Sequence, residues 1–222
     1  MTPLGFFGRV LLLLVPAFAA WYLLGAVLAA PAVWLVSEIL PAWLPALVAS
    51  VYLDGATMTV VSSLGEAGGS FLPAEQAGGA LGFRIDSRVL SYSMPFFAAL
   101  HFATPLPGRW ERFARGLFVL WLLLVPGLIS TALKDLMLTL GESFLAAPGT
   151  PPADAVALAY QFNTLMVPPL APILLWGWEA RRSPAIQALF PALFPATPEA
   201  DGVAGHDDKA PGTPSRRSPL ER

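Results

Sequence analysis

Charge is absent from this chain over long distances, and that absence limits what it can become. No Asp, Glu, Lys or Arg interrupts the apolar run from Val10 to Leu28, and a second such run fills Gly116 to Leu133. A helix of about 20 apolar residues crosses the roughly 30 Å hydrocarbon layer of a bilayer. Runs of this kind predict membrane-spanning helices with the charges gathered between them. Of the 222 residues, 13% are charged and 55% hydrophobic, and the mean hydropathy is +0.62. A soluble domain carries about 25% charged residues. The net charge of -2 gives no electrostatic footprint for nucleic acid. There is no cysteine, which excludes disulfides, thiolate metal sites and a cysteine nucleophile together.

In chain order, Val10 to Leu28 predicts the first span, within an N-terminal anchor at 1–30. Ala29-Ala30 has the small residues of a signal-peptide cleavage site, but Pro31 follows and opposes cleavage, so the anchor is read as retained. Residues 31–48 stay apolar yet contain Glu38, Pro41 and Pro45. Joined to the first helix they exceed one span. They are read as a separate interfacial helix with Trp34 and Trp43 at headgroup level, the alternative being a further span. Residues 49–64 turn to Val, Thr, Tyr and Ser around Asp54-Gly55, which predicts a hairpin. Residues 65–82 are Gly- and Ala-rich and predict a loop. From Leu81 to Val89 the pattern alternates. Leu81, Phe83, Ile85, Ser87 and Val89 fall on one face, and Arg84, Asp86 and Arg88 on the other, as in a half-buried third strand.

Leu90 to Leu106 predicts a short second span that carries His101 and stops at Pro105 and Pro107. Gly116 to Leu140 predicts the third, and Asp154 to Trp178 the fourth, broken or bent by Pro168-Pro169. The tail, 183–222, is expected to be disordered, above all from Pro195 onward. The fold class is therefore a mainly α membrane protein. It has about four transmembrane helices and a small extracytoplasmic β-containing domain, 31–89, ahead of a three-span region at 90–182. Arg9, the Arg109/Arg112/Arg115 cluster and Arg181/Arg182 then share one side. Glu38 to Arg88, with five acids and two arginines, lies on the other. Positive charge marks the cytoplasmic side, so both termini are expected there.

Few residues suggest chemistry. His101 is the one histidine in the apolar region; an ionisable group in a span is either functional or glue between helices, and no acid within its own span offers a relay. Lys134 and Asp135 are neighbours in sequence and do not face each other on a helix, so each is expected to look to another span, where Gln161 and Asn163 are candidates. Ser130 and Lys134 share a helix face at four-residue spacing, a weak serine-lysine pattern. Arg84, Asp86 and Arg88 would form a polar recognition face or a solvated one. The chain has no phosphate-binding glycine loop, no HExxH and no metal cluster, and no cofactor is expected.

The central stretch IDSRVLSYSMPFFAALHFATPL, followed by an arginine-bearing loop and an apolar span, carries a family likeness. In Ile85-Asp86, Tyr92-Ser93-Met94-Pro95 and Ala98-Ala99-Leu100 to Ala103-Thr104 the chain resembles the exosortase H-associated membrane proteins of Gram-negative bacteria, with a shared layout over 5–180. The resemblance implies the bacterial inner membrane and a place in a protein-sorting system. In that system a membrane cysteine transpeptidase processes substrates bearing a C-terminal sorting signal. Lacking cysteine, this chain would be an accessory protein and not the transpeptidase, with the transpeptidase or its substrates as partner. Tyr92 and Pro95 join the candidate contact residues on this basis. Two other readings stay open. One is a transporter or channel component with His101, Gln161 and Asn163 along a polar path. The other is an intramembrane hydrolase using Ser130 and Lys134.

Overall fold

The structure, a computed structural model, describes residues 2–181 and 183–191. Most of the expected disordered tail, from 192 onward, lies outside the described residues.

The chain begins with one helix, α1 (Pro3–Trp43). It rises about 60 Å at 1.5 Å per residue, some twice the hydrocarbon thickness. This corrects the division into an anchor and a separate interfacial helix. The reason is a single buried stripe, Ala29, Ala32, Val33, Val36 and Leu40, whose helical spacing carries α1 straight through Pro31 and along a sheet. Pro31 costs the helix only the one N–H that would bond the Val27 carbonyl, and beside it Trp121 Nε1 donates to the Leu28 carbonyl and ties α5 to α1.

That sheet has the order β1-β2-β5, all antiparallel, from β1 (Val48–Asp54) and β2 (Thr57–Ser62) through to β5 (Gly82–Asp86). The hairpin forms as expected, with its two-residue turn at Gly55-Ala56, one position on from Asp54-Gly55, because Asp54 pairs with Thr57 and Gly55 takes the positive φ of +61°. Val51, Met58, Val60 and Ile85 are buried on its inner face, in register across the strands, while Arg84 and Asp86 are exposed. Between β2 and β5 the expected loop is corrected to a hairpin, β3 (Leu64–Ala67) and β4 (Ser70–Pro73), and a helical turn, α2 (Ala74–Ala77). Gly68 and Gly69, both at positive φ, supply the second hairpin turn. The third strand ends at Asp86. Ser87 turns the chain by donating to the Ala56 carbonyl at 2.6 Å, and Arg88 and Val89 enter α3 (Arg88–Ser91). Arg88 is therefore not on the strand face.

In place of the expected second span stands α4 (Ser93–Ala103), of 11 residues. Its rise of about 16 Å is half the hydrocarbon layer. The chain then climbs again in α5 (Arg109–Leu140), makes a turn in α6 (Glu142–Ala146) and descends through α7 (Ala153–Gln161), a π-helical segment (Phe162–Met166) and α8 (Val167–Ala180). The double proline, expected to break this helix, sits just after the π-helical segment, where its two missing donors are absorbed. Among the described residues, three helices are long and apolar enough to cross a membrane: α1, α5 and Ala153–Ala180. The first residues expected in the tail form α9 (Pro184–Leu189), with Ile186 fully buried.

The helices meet at two levels. At one end, Phe6 stacks on Trp176 at 5.7 Å and meets Phe190 at 6.1 Å, so both described ends of the chain lie together. In the middle, α4 and α5 touch where Gly116 faces the Phe97 ring. A Cβ on Gly116 would come within 2.2 Å of that ring. Phe97 cannot yield, because it is fully buried and stacked on Phe113 at 6.0 Å. Gly116→Val should therefore destabilise the fold by about 2 kcal/mol through overpacking, seen as a lowered Tm in detergent by fluorescence-monitored unfolding.

Candidate functional site

Two polar centres stand at opposite ends of the helices. The first is built on His101 in the last turn of α4, which is completely buried. Its Nε2 lies 2.8 Å from the Arg109 carbonyl and its Nδ1 lies 2.8 Å from Glu179 Oε2. A carbonyl only accepts, so Nε2 carries its hydrogen and donates. The contact at Nδ1 then holds one further proton, on nitrogen or on oxygen, and in either case the pair has no net charge. Arg112 Nη1 donates to the Glu179 carbonyl at 3.4 Å, and Trp176 Nε1 donates to Thr104 Oγ1 at 2.8 Å. Thr104 in turn donates to the Leu100 carbonyl at 2.9 Å. The acid that His101 lacks within its own helix thus comes from α8, 78 residues away. Residue types alone offered Glu179 only as one member of a terminal charge cluster.

The second centre lies where β5 meets α5 and α7. A cavity of about 190 Å³ is lined there by Arg84, Asp86, Thr131, Asp135, Tyr160 and Thr164, with Ile85, Val89 and Leu90 as its apolar wall. Two groups of candidates from distant stretches, Arg84 with Asp86 and Lys134 with Asp135, meet here. Lys134 Nζ pairs with Asp135, contrary to expectation. Adjacent residues point about 100° apart on a helix, but the long lysine stem bends back while its ammonium lies 5.0 Å over the Tyr160 ring. Arg84 reaches Asp54 at 3.5 Å, an exposed pair of little energetic weight. Arg88 bonds Asp86 at 3.1 Å and lies 5.0 Å over Tyr22 of α1. The hydrogen bond to Asp86, and then its charge, raise the Arg88 pKa above its ordinary value. Thr164 Oγ1 is buried beside the cavity with no hydrogen-bond partner.

The remaining candidates fall elsewhere. Tyr92 is half-buried at the joint of α3 and α4, and Pro95 is buried in α4. Gln161 is exposed. Asn163 Nδ2 donates to the Ala159 carbonyl of its own helix at 2.9 Å, and the space beside it is about 10 Å³, the threshold for a single water. Asn163 and Glu179 are about 24 Å apart along their helix, so His101, Gln161 and Asn163 do not share one polar path. Ser130 donates to the Gly127 carbonyl at 3.0 Å, and its supposed base Lys134 is held by Asp135. The nucleophile and base do not meet. Among the described residues there is no group of acids and histidines that could hold a metal ion.

Three helices long and apolar enough to cross a membrane, with the short α4 tied to the second and third of them through His101 and a small sheet packed on the first, define a helical membrane protein. Its family follows from comparison with known proteins. The family model for the exosortase H-associated membrane protein matches residues 1–183, and the chain belongs to that family. No curated protein and no solved structure matches it.

The geometry yields two expectations. His101→Ala leaves Glu179 buried without its partner and should cost about 3–5 kcal/mol, whereas His101→Leu combined with Glu179→Leu should restore most of the loss. Thermal unfolding of the three variants in detergent reads the difference. Ser130→Ala should lower stability by no more than about 1 kcal/mol, since Thr131 Oγ1 also donates to the Gly127 carbonyl.

Proposed function

We propose that the protein is a non-enzymatic accessory subunit of the bacterial inner membrane that packs sideways against another membrane protein, a cysteine transpeptidase of the exosortase type or its substrate. Both termini would face the cytoplasm and the sheet would face outward. The family to which the chain belongs supports association with exosortase H.

The observation that carries the reading is the length of the bare apolar ridge on α1. Leu4, Leu11 and Val15, and further along Leu23, Val27 and Trp34, are each more than 60% exposed; the ridge they form turns about 120° around the helix between the two sets and meets no charge other than Arg9. From Leu4 to Trp34 the ridge rises about 45 Å, some 15 Å beyond the hydrocarbon layer. A tilt absorbs part of such a mismatch, and a neighbouring membrane protein covers the rest. Around Trp34 the same helix carries the buried residues Ala32, Val33 and Val36 and packs against β1, which leaves Trp34 outward. The junction residues Arg84 and Asp86 stand on the exposed face of β5, where a partner's polar rim would meet them.

The test is affinity purification of the tagged full chain from its native membrane in mild detergent, followed by mass spectrometry. The wild type should bring along a cysteine-bearing membrane transpeptidase. Trp34→Glu should reduce that yield about tenfold, a loss of ~1.4 kcal/mol in the complex, while the Tm of the purified chain stays unchanged. A chain that comes out alone, or with the same partner yield in both forms, would contradict the reading.

A further inference from the structure

An apolar groove runs between the first half of α1, α4 and the start of α5, with a volume of about 380 Å³. Its lining consists of Leu, Pro, Ala, Trp, Met and Phe side chains alone. On α1 the lining begins at Leu13 and passes through Ala17, Ala20 and Leu24 to Leu28, a rise of about 22 Å. On α5 it begins at Phe113. One helical turn before each of these starting points stands an arginine: Arg9 before Leu13, and Arg109 before Phe113. Both arginines line a second, open pocket formed with residues 102–107, and Phe102 borders the groove and this pocket alike. No Asp or Glu lines that pocket.

We propose that the groove and the arginine pocket form one binding site for a phospholipid with an anionic headgroup, drawn from the leaflet at the arginine end. An acyl chain lies in the groove and the phosphate rests between the Arg9 and Arg109 guanidinium groups. The order of chemistry along both walls matches such a molecule. Carbon-lined surface extends for more than the ~15 Å depth of one leaflet, and cationic donors begin where the apolar lining ends. A transmembrane helix of a partner would fill the groove but would not call for two arginines at its foot. Guanidinium groups hold phosphate by paired hydrogen bonds, and basic pockets between helices at a membrane surface select anionic headgroups.

Full-length protein can be equilibrated with mixed phosphatidylglycerol and phosphatidylcholine vesicles of identical acyl chains, extracted, and weighed by native mass spectrometry. One retained phosphatidylglycerol per chain is expected. Arg9→Gln with Arg109→Gln should lower the ratio of phosphatidylglycerol to phosphatidylcholine about tenfold. Ala20→Phe, placed at an exposed position in the groove, should remove both lipids. Leu24→Trp repeats the blockade if the first variant fails to fold. Equal retention of the two lipids by the wild type, or lipid counts that no variant alters, would overturn the proposal. So would a groove variant that expels a co-purifying protein while the lipid stays.

Discussion

A histidine carried by a short helix into an apolar interior needs a hydrogen-bond partner for each ring nitrogen, and Glu179 and the Arg109 carbonyl meet that demand for His101. His101 has no exposed surface, and its two ring nitrogens are both engaged. The contact joins the end of α4, the start of α5 and the end of α8, three points far apart in sequence. It also explains how an 11-residue helix keeps its place. Its neighbours hold α4: Phe97 against Gly116 on one side, and His101 and Thr104 bonded to α8 on the other. With either partner alone removed, the other would remain unpaired at the point where the chain reverses into α5, and burying such a group alone is costly.

The opposite end is organised by packing. A long single helix has no reason to stay rigid beyond the bilayer unless something covers its apolar stripe. Strand β1 packs along α1, together with α4 and α5, and the stripe Ala29, Val33, Val36 and Leu40 is buried. In return the helix gives a small sheet the second layer it needs for stability. One polymer segment thus serves as membrane anchor in its first half and as the core of an attached domain in its second. The polar junction beside β5 is a consequence of this arrangement. The sheet edge descends to the level of α5 and α7, and Arg84 and Asp86 arrive next to Asp135 and Tyr160.

Several features were legible in the residues. The apolar runs at Val10–Leu28 and Gly116–Leu133 have the length and freedom from charge of bilayer helices, and both lie in long helices. Asp54-Gly55 with β-branched flanks marked its hairpin, and the alternation around Ile85 marked β5. Others were hidden. Prolines at 31 and 41 suggested a helix end, but each removes only one N–H from the ladder, and the buried stripe through Ala32, Val33, Val36 and Leu40 holds α1 continuous across them. A Gly-rich stretch read as loop became a hairpin because Gly68 and Gly69 adopt the positive φ that a tight turn needs. Lys134 was expected to look away from Asp135, since backbone geometry separates them while a flexible stem reconnects them.

By itself, then, the sequence determined that this is a helical membrane protein with a small β element, and that it lacks the cysteine of a transpeptidase. Hydrophobic length, strand alternation and residue inventory are local properties, and they survive without knowledge of contacts. Only the tertiary structure decided that α1 is continuous, that the leg before α5 carries a helix of 11 residues, and that Glu179 completes His101. Each of these depends on a group supplied from tens of residues away, which no local pattern encodes. Burial sets the requirement that a polar group be satisfied, and the fold alone selects the residue that satisfies it.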